Sequence, residues 1–253
     1  MEILPNKIHP ERLELGDKIH LLASTEAPLY ILVNRLSKKT CLHPDFTWLS
    51  SGQPINNSLQ IFRNAIQSTA IEGGPDHSYI RKKRTIEVTM DMEKAFLHGR
   101  LHSSFPRITG GLDFFCYNHS TLRDDRNLTR QEIFQAWLPG FARGSVIKYL
   151  FGSSQHITDI VNAFSGMVNI FPPSFGPHIS QIPTHLGSVN LVCDRFCLDK
   201  MYLLSLEQIV YRFLLSRDIA IERIKPEPIW EQVLCEAGLE FGVLDNHLVI
   251  ARV

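Results

Sequence analysis

Apolar and polar positions along the chain alternate between two spacings, and each spacing predicts its own element. Residues 18–24 run apolar with a single histidine and read as a strand, and residues 27–36 read as a short helix with Pro28 in its first turn. Pro, Ser, Thr and Gly dominate residues 41–54, which is loop chemistry. Residues 58–71 place Leu59, Ile61, Phe62, Ala65 and Ile66 at helical spacing, ended by Gly73-Gly74-Pro75. Residues 85–90, rich in β-branched side chains, then predict a strand.

Residues 101–111 form a connection closed by Gly110-Gly111, and residues 112–117 read as a compact aromatic strand. Thr129 and Glu132 form a capping box that opens a helix with Ile133, Phe134 and Trp137 on its apolar face. A further helix is expected over 158–171, then a proline-rich loop over 171–177. Residues 189–193 and 201–204 predict strands, and 206–214 fits either element. Residues 228–237 read as a helix stopped by Gly238, before a hairpin whose arms, 240–243 and 247–251, flank Leu244-Asp245-Asn246.

Composition narrows the class. With 44% hydrophobic residues the chain can fill a core, and its 26 basic and 26 acidic residues cancel. A neutral chain lacks the summed field that holds polyanions, so nucleic acid is expected only through a local patch. The one candidate is Arg81-Lys82-Lys83-Arg84; ahead of a strand, such a run reads as a solvated edge. Five scattered cysteines suit a reducing compartment better than a disulfide framework. No apolar stretch approaches the ~20 residues a bilayer requires, and the first residues lack a Sec-type signal. The expectation is a cytoplasmic protein, or one exported into a host cell by a route needing no Sec signal. Phosphate-loop, dinucleotide, zincin and nucleophile-elbow motifs are missing. His98 and His102 share a spacing suited to metal, but Gly99 and Ser103-Ser104-Phe105-Pro106 make a poor helix, so no metal site is expected.

Two segments carry a resemblance. In the first, residues 19–36, a strand histidine (His20) leads through a polar turn containing Thr25 into a helix with Ile31-Leu32. In the second, residues 198–215, Asp199 precedes Met201-Tyr202-Leu203-Leu204, and Gln208-Ile209 leads to Phe213-Leu214-Leu215. Between them lies Gly110-Gly111-Leu112-Asp113-Phe114-Phe115-Cys116-Tyr117-Asn118-His119-Ser120. In this order they resemble the His-Tyr-Glu type of the ADP-ribosyltransferase superfamily. That resemblance implies an α+β fold, one domain over 1–253, with a central split mixed β-sheet and inserted helices.

It further implies mono-ADP-ribosyl transfer from NAD to a macromolecular, protein acceptor, as in effector- or toxin-type members. His20 and Asp199 would be the catalytic pair. Thr25, Phe114, Phe115, Tyr117, Asn118 and His119 would hold NAD. Lys200 or Met201 stands where the superfamily has its glutamate. Either the acid has moved to Asp199, or the chain is an inactive interaction module on a similar scaffold. A metal-dependent hydrolase is the third alternative.

Overall fold

The computed structural model describes residues 27–68, 75–104, 106–123, 127–141, 146–170, 180–215, 218–225 and 229–253. The strand expected over 18–24 and the loop over 171–177 lie outside the described residues. In chain order the elements are α1 (Pro28–Leu36), β1 (Lys38–Cys41), β2 (Asp45–Ser50), β3 (Gln53–Ser58), β4 (Gln60–Ser68) and α2 (Pro75–His98). Next come α3 (Leu112–Phe115), β5 (Asn118–Leu122), α4 (Arg130–Trp137), β6 (Ile147–Gly152), α5 (Ser154–Ala163), β7 (Asn169–Ile170), β8 (Ser180–Thr184) and β9 (Gly187–Cys193). The chain ends with β10 (Lys200–Leu204), β11 (Ile209–Leu214), β12 (Ala220–Lys225), β13 (Ile229–Phe241) and β14 (Leu248–Arg252). They divide into two compact units: 33–115 with 207–244, and 1–32 with 116–206 and 245–253.

In the first unit β13 is the central strand. β4 lies antiparallel along one side of it, while β12 and β11 follow one another along the other, and β1 joins β11 in parallel. Helix α2 packs on this sheet through Val88, Met92 and Phe96, which are fully or almost fully buried at helical spacing. Phe96 meets Phe62 of β4 and Tyr211 of β11 edge-on. β2 and β3 pair with each other as a separate two-stranded ribbon.

In the second unit seven strands run in the order β5-β14-β10-β6-β9-β8-β7, mixed in direction. Its core joins Trp137, Leu150, Ile160, Phe164, Leu191, Leu203 and Ile250. Trp137 stacks on Phe164 at 5.8 Å. Helix α4 opens with the expected capping box, Thr129 accepting from the Glu132 amide while the Glu132 carboxylate accepts from the Thr129 amide. Strands β9 and β10 contain the two that the sequence predicts.

Two main sheets in two units therefore replace the one central split sheet expected, because several segments fold against their apparent pattern. Residues 60–68 are a strand rather than a helix: Asn64 sits between Phe62 and Ile66 on the face toward α2, and its Nδ2 donates to Glu87 at 2.6 Å. That inward polar residue hides the period of two. Residues 85–90 belong to α2, where Thr85 and Thr89 return their hydroxyls to helix carbonyls. Residues 112–115 are a short helix, not an aromatic strand.

Residues 229–241 form one strand passing straight through Gly238. A Cβ there would lie 2.8 Å from Thr109 Oγ1 and 3.1 Å from the Ser58 carbonyl, so glycine marks a close approach rather than a helix stop. β13 and β14 belong to different sheets, so the expected C-terminal hairpin does not form. The loop expected over 41–54 holds β2 and the start of β3, joined by Ser51-Gly52 with φ of 51° and 81°. Both signs are positive, as a type I′ hairpin turn demands.

Candidate functional site

The β2–β3 hairpin is fixed at its base and open at its tip. From β2, Trp48 is buried, and its Nε1 donates to the Phe241 carbonyl at 2.5 Å. Its ring meets Phe115 edge-on at 5.5 Å and lies 5.8 Å from Phe46. From β3, Asn57 Nδ2 donates to the Leu239 carbonyl at 2.8 Å, and Oδ1 accepts from the Gly110 amide at 2.8 Å. Beyond these anchors, Leu49 is 70% exposed and residues 46–58 contain no charge. Among the described residues no strand pairs with either outer edge of the ribbon. Two strands alone are marginal in water, so the tip is held out by the packing beneath it.

Behind the hairpin, β13 carries buried carboxylates, each met by a guanidinium. Glu231 receives Arg81, with Nε at 2.7 Å, and His77 Nε2 lies 3.3 Å from the same carboxylate. Glu236 receives Arg107 at 2.5 Å, and Glu240 receives Arg212, whose guanidinium also lies over the Phe46 ring. Buried charge survives only when paired in this way, so these carboxylates are committed to structure. Burial pushes the Cys41, Cys193 and Cys235 thiols up, which removes nucleophilic thiolate rather than creating it.

The seven-stranded unit holds one unusual polar cluster. Lys148 is fully buried, and its Nζ donates to Ser205 Oγ at 2.6 Å and to the Asn246 carbonyl at 2.8 Å. Beside it His247 is held neutral, its pKa lowered to about 3 first by burial and then by the Lys148 charge. An ammonium satisfied by a hydroxyl and a carbonyl, next to a neutral imidazole, makes a packed polar core.

The described members of the expected site take up separate places in their own units. His20 and Thr25 lie outside the described residues. Phe115 is buried under Trp48, whereas Phe114 is about half exposed against it. Tyr117 is exposed. On β5, Asn118 donates to the Asp245 carbonyl at 2.8 Å and stands opposite Leu248, and the exposed His119 stands opposite Val249. Asp199 is exposed beside the other end of β14, where its carbonyl accepts from the Arg252 amide. Four residues of strand separate that point from Leu248, roughly 13 Å. Among the described residues no group of three or more metal-ligating side chains gathers. No described helix is long and apolar enough to cross a membrane.

Solved structures with HK97-like folds, from capsids and encapsulins, share the fold of this chain. The chain is similar to the holo-SrpI encapsulin complex of Synechococcus elongatus PCC 7942, with TM-score 0.61 and 12% identity over 91% of this chain and 89% of that one. It is similar to the virus-like particle of Pyrococcus furiosus, with TM-score 0.56 and 10% identity over 94% and 100% of the two chains. The capsid of an empty GTA particle matches with TM-score 0.59 and 7% identity over 87% and 95%. At such identities the likeness defines the fold. No curated protein is close enough in sequence to match. The family model of the SU10 major capsid protein matches residues 44–253, and the chain belongs to that family.

This membership overturns the ADP-ribosyltransferase resemblance, together with the fold, the transfer reaction, the toxin or effector role and the protein acceptor that it implied. NAD, expected as that reaction's co-substrate, loses the resemblance that implied it. The three segments were short, and their order alone linked them. The feature that sequence reading missed is the hairpin. Its signal was present in Ser51-Gly52 between two polar–apolar segments.

Proposed function

We propose that this chain is the building block of a closed protein shell, many copies meeting through their own surfaces around an interior. The observation that carries the reading is the family model, which runs from residue 44 to 253 and so takes in the hairpin and nearly every described strand. The similar structures are those of a virus-like particle, an encapsulin complex and a capsid, which supports the same role. The geometry fits it. The hairpin tip is uncharged, rigidly based and, among the described residues, unpaired along both edges, which suits an arm that another copy covers. A chain of zero net charge also carries little overall repulsion into a crowded assembly.

The test is direct. Purified full-length chain is imaged by negative-stain electron microscopy and sized by light scattering. Closed particles of uniform diameter are expected; a 28.9 kDa monomer across a wide range of concentration and salt would sink the proposal.

A further inference from the structure

One guanidinium stands beneath the β2–β3 hairpin without belonging to it. Arg212 of β11 lies opposite Gly238 of β13 and reaches diagonally to Glu240, where Nε donates at 2.5 Å and Nη2 meets the same oxygen. Only 19% and 12% of the two side chains is exposed, so a fixed carboxylate and not solvent orients the guanidinium. Its carbon sits 5.8 Å from the centroid of the Phe46 ring, within cation–π range. Phe46 stacks in turn on Trp48.

Position in the ribbon gives this contact its leverage. Asn57 of β3, directly opposite Phe46, is tied to Leu239 and Gly110, and Trp48 of β2 is tied to Phe241. Those two ties define a diagonal line across the ribbon and leave it free to rock about that line. Phe46 lies on the base side of the line and Ser50 on the tip side. Ser50 is restrained by one long bond, its Oγ accepting from the Leu244 amide at 3.3 Å. The base is restrained by a charge that is itself held in place.

We propose that Arg212 is a positioning residue that sets the tilt of the hairpin, and so which of its faces a second copy of this chain meets. Meeting a second copy presupposes the shell reading; the tilt does not. The task suits arginine. A guanidinium can pair with a carboxylate in its own plane while laying its flat face on an aromatic ring, which a lysine ammonium cannot do at once.

Hydrogen exchange read by mass spectrometry on the full-length chain tests the tilt, with the assembly state of each protein matched by light scattering. Phe46→Leu is expected to speed exchange across residues 45–58 about tenfold, while residues 60–68 and 229–237 keep wild-type rates. Arg212→Lys should do the same, and the double variant should be no faster than either single one. Phe46→Tyr, which keeps a ring face, should match wild type. Particle yield should drop several-fold in both loosened variants. Wild-type exchange over 45–58 in both single variants overturns the proposal, and so does equal acceleration over 229–237, which assigns Arg212 to stability alone. A loosened hairpin with full particle yield overturns the step to the second copy. Should the unaltered chain build no particles, the shell reading falls and the exchange rates still decide the tilt.

Discussion

Neutral burial of His247 couples folding to pH. In the unfolded chain its imidazole titrates near 6.5; in the folded chain it stays neutral until about 3. Below pH 6.5 the unfolded state therefore binds a proton that the native state refuses. Stability is full above 6.5 and falls as pH drops toward 3, by up to about 1.4 kcal/mol per pH unit from this one group. Urea unfolding measured at pH 7 and again near pH 4.5 should show the loss, and His247→Phe should flatten that part of the profile. A wild-type profile with no slope in this window would contradict the assignment. At Gly238 the argument is steric. Valine there must displace Thr109 or the Ser58 carbonyl, and overpacking of this kind costs about 1–3 kcal/mol, read as a lower urea midpoint with an unchanged m-value.

Among the elements, the most legible ones keep their polar residues outward. The capping box at Thr129 and the apolar run of β10 were readable because nothing interrupts their pattern, and β9 was readable although it buries Asn190. β4, α2 and β13 were not, and each failed for a stated reason. β4 turns Asn64 inward, α2 carries β-branched residues whose hydroxyls bond its own backbone, and β13 buries Glu231, Glu236 and Glu240 against arginines distant in sequence. A carboxylate on a buried face reads as a solvated position until its partner is known. Glu236→Ala should therefore be costly, in the range of about 3–5 kcal/mol, because Arg107 is left partly buried without its counter-charge. Glu236→Ala combined with Arg107→Met should recover part of that loss, as a double-mutant cycle in urea would reveal. Of the candidate site, the aromatic content around Phe115 was visible, but its role was not: it roofs Trp48 at the hairpin base.

For the whole molecule, the separation of a fixed hairpin base from a free tip predicts that folding and assembly can be uncoupled. Leu49→Asp places a charge on an exposed, unpaired tip and touches none of the buried anchors. Its urea midpoint should stay within the scatter expected of surface changes, about 0.5 kcal/mol, while particle yield by light scattering falls sharply. Equal yields from the two proteins would remove the hairpin from the assembly contacts. Trp48→Ala should do the opposite, lowering stability itself by about 3–5 kcal/mol.

β13 has a ladder partner at every residue from Ile229 to Phe241, with β4 on one side and β12 and β11 on the other. Among the described residues, no strand pairs with the outer borders of β1, β4 and β12. β1 begins with two lysines, a common guard against strand-to-strand joining. β12 carries Glu222, Arg223 and Lys225, whereas β4 carries Arg63 alone, so a strand of another copy joining this sheet would meet its least charged described border at β4.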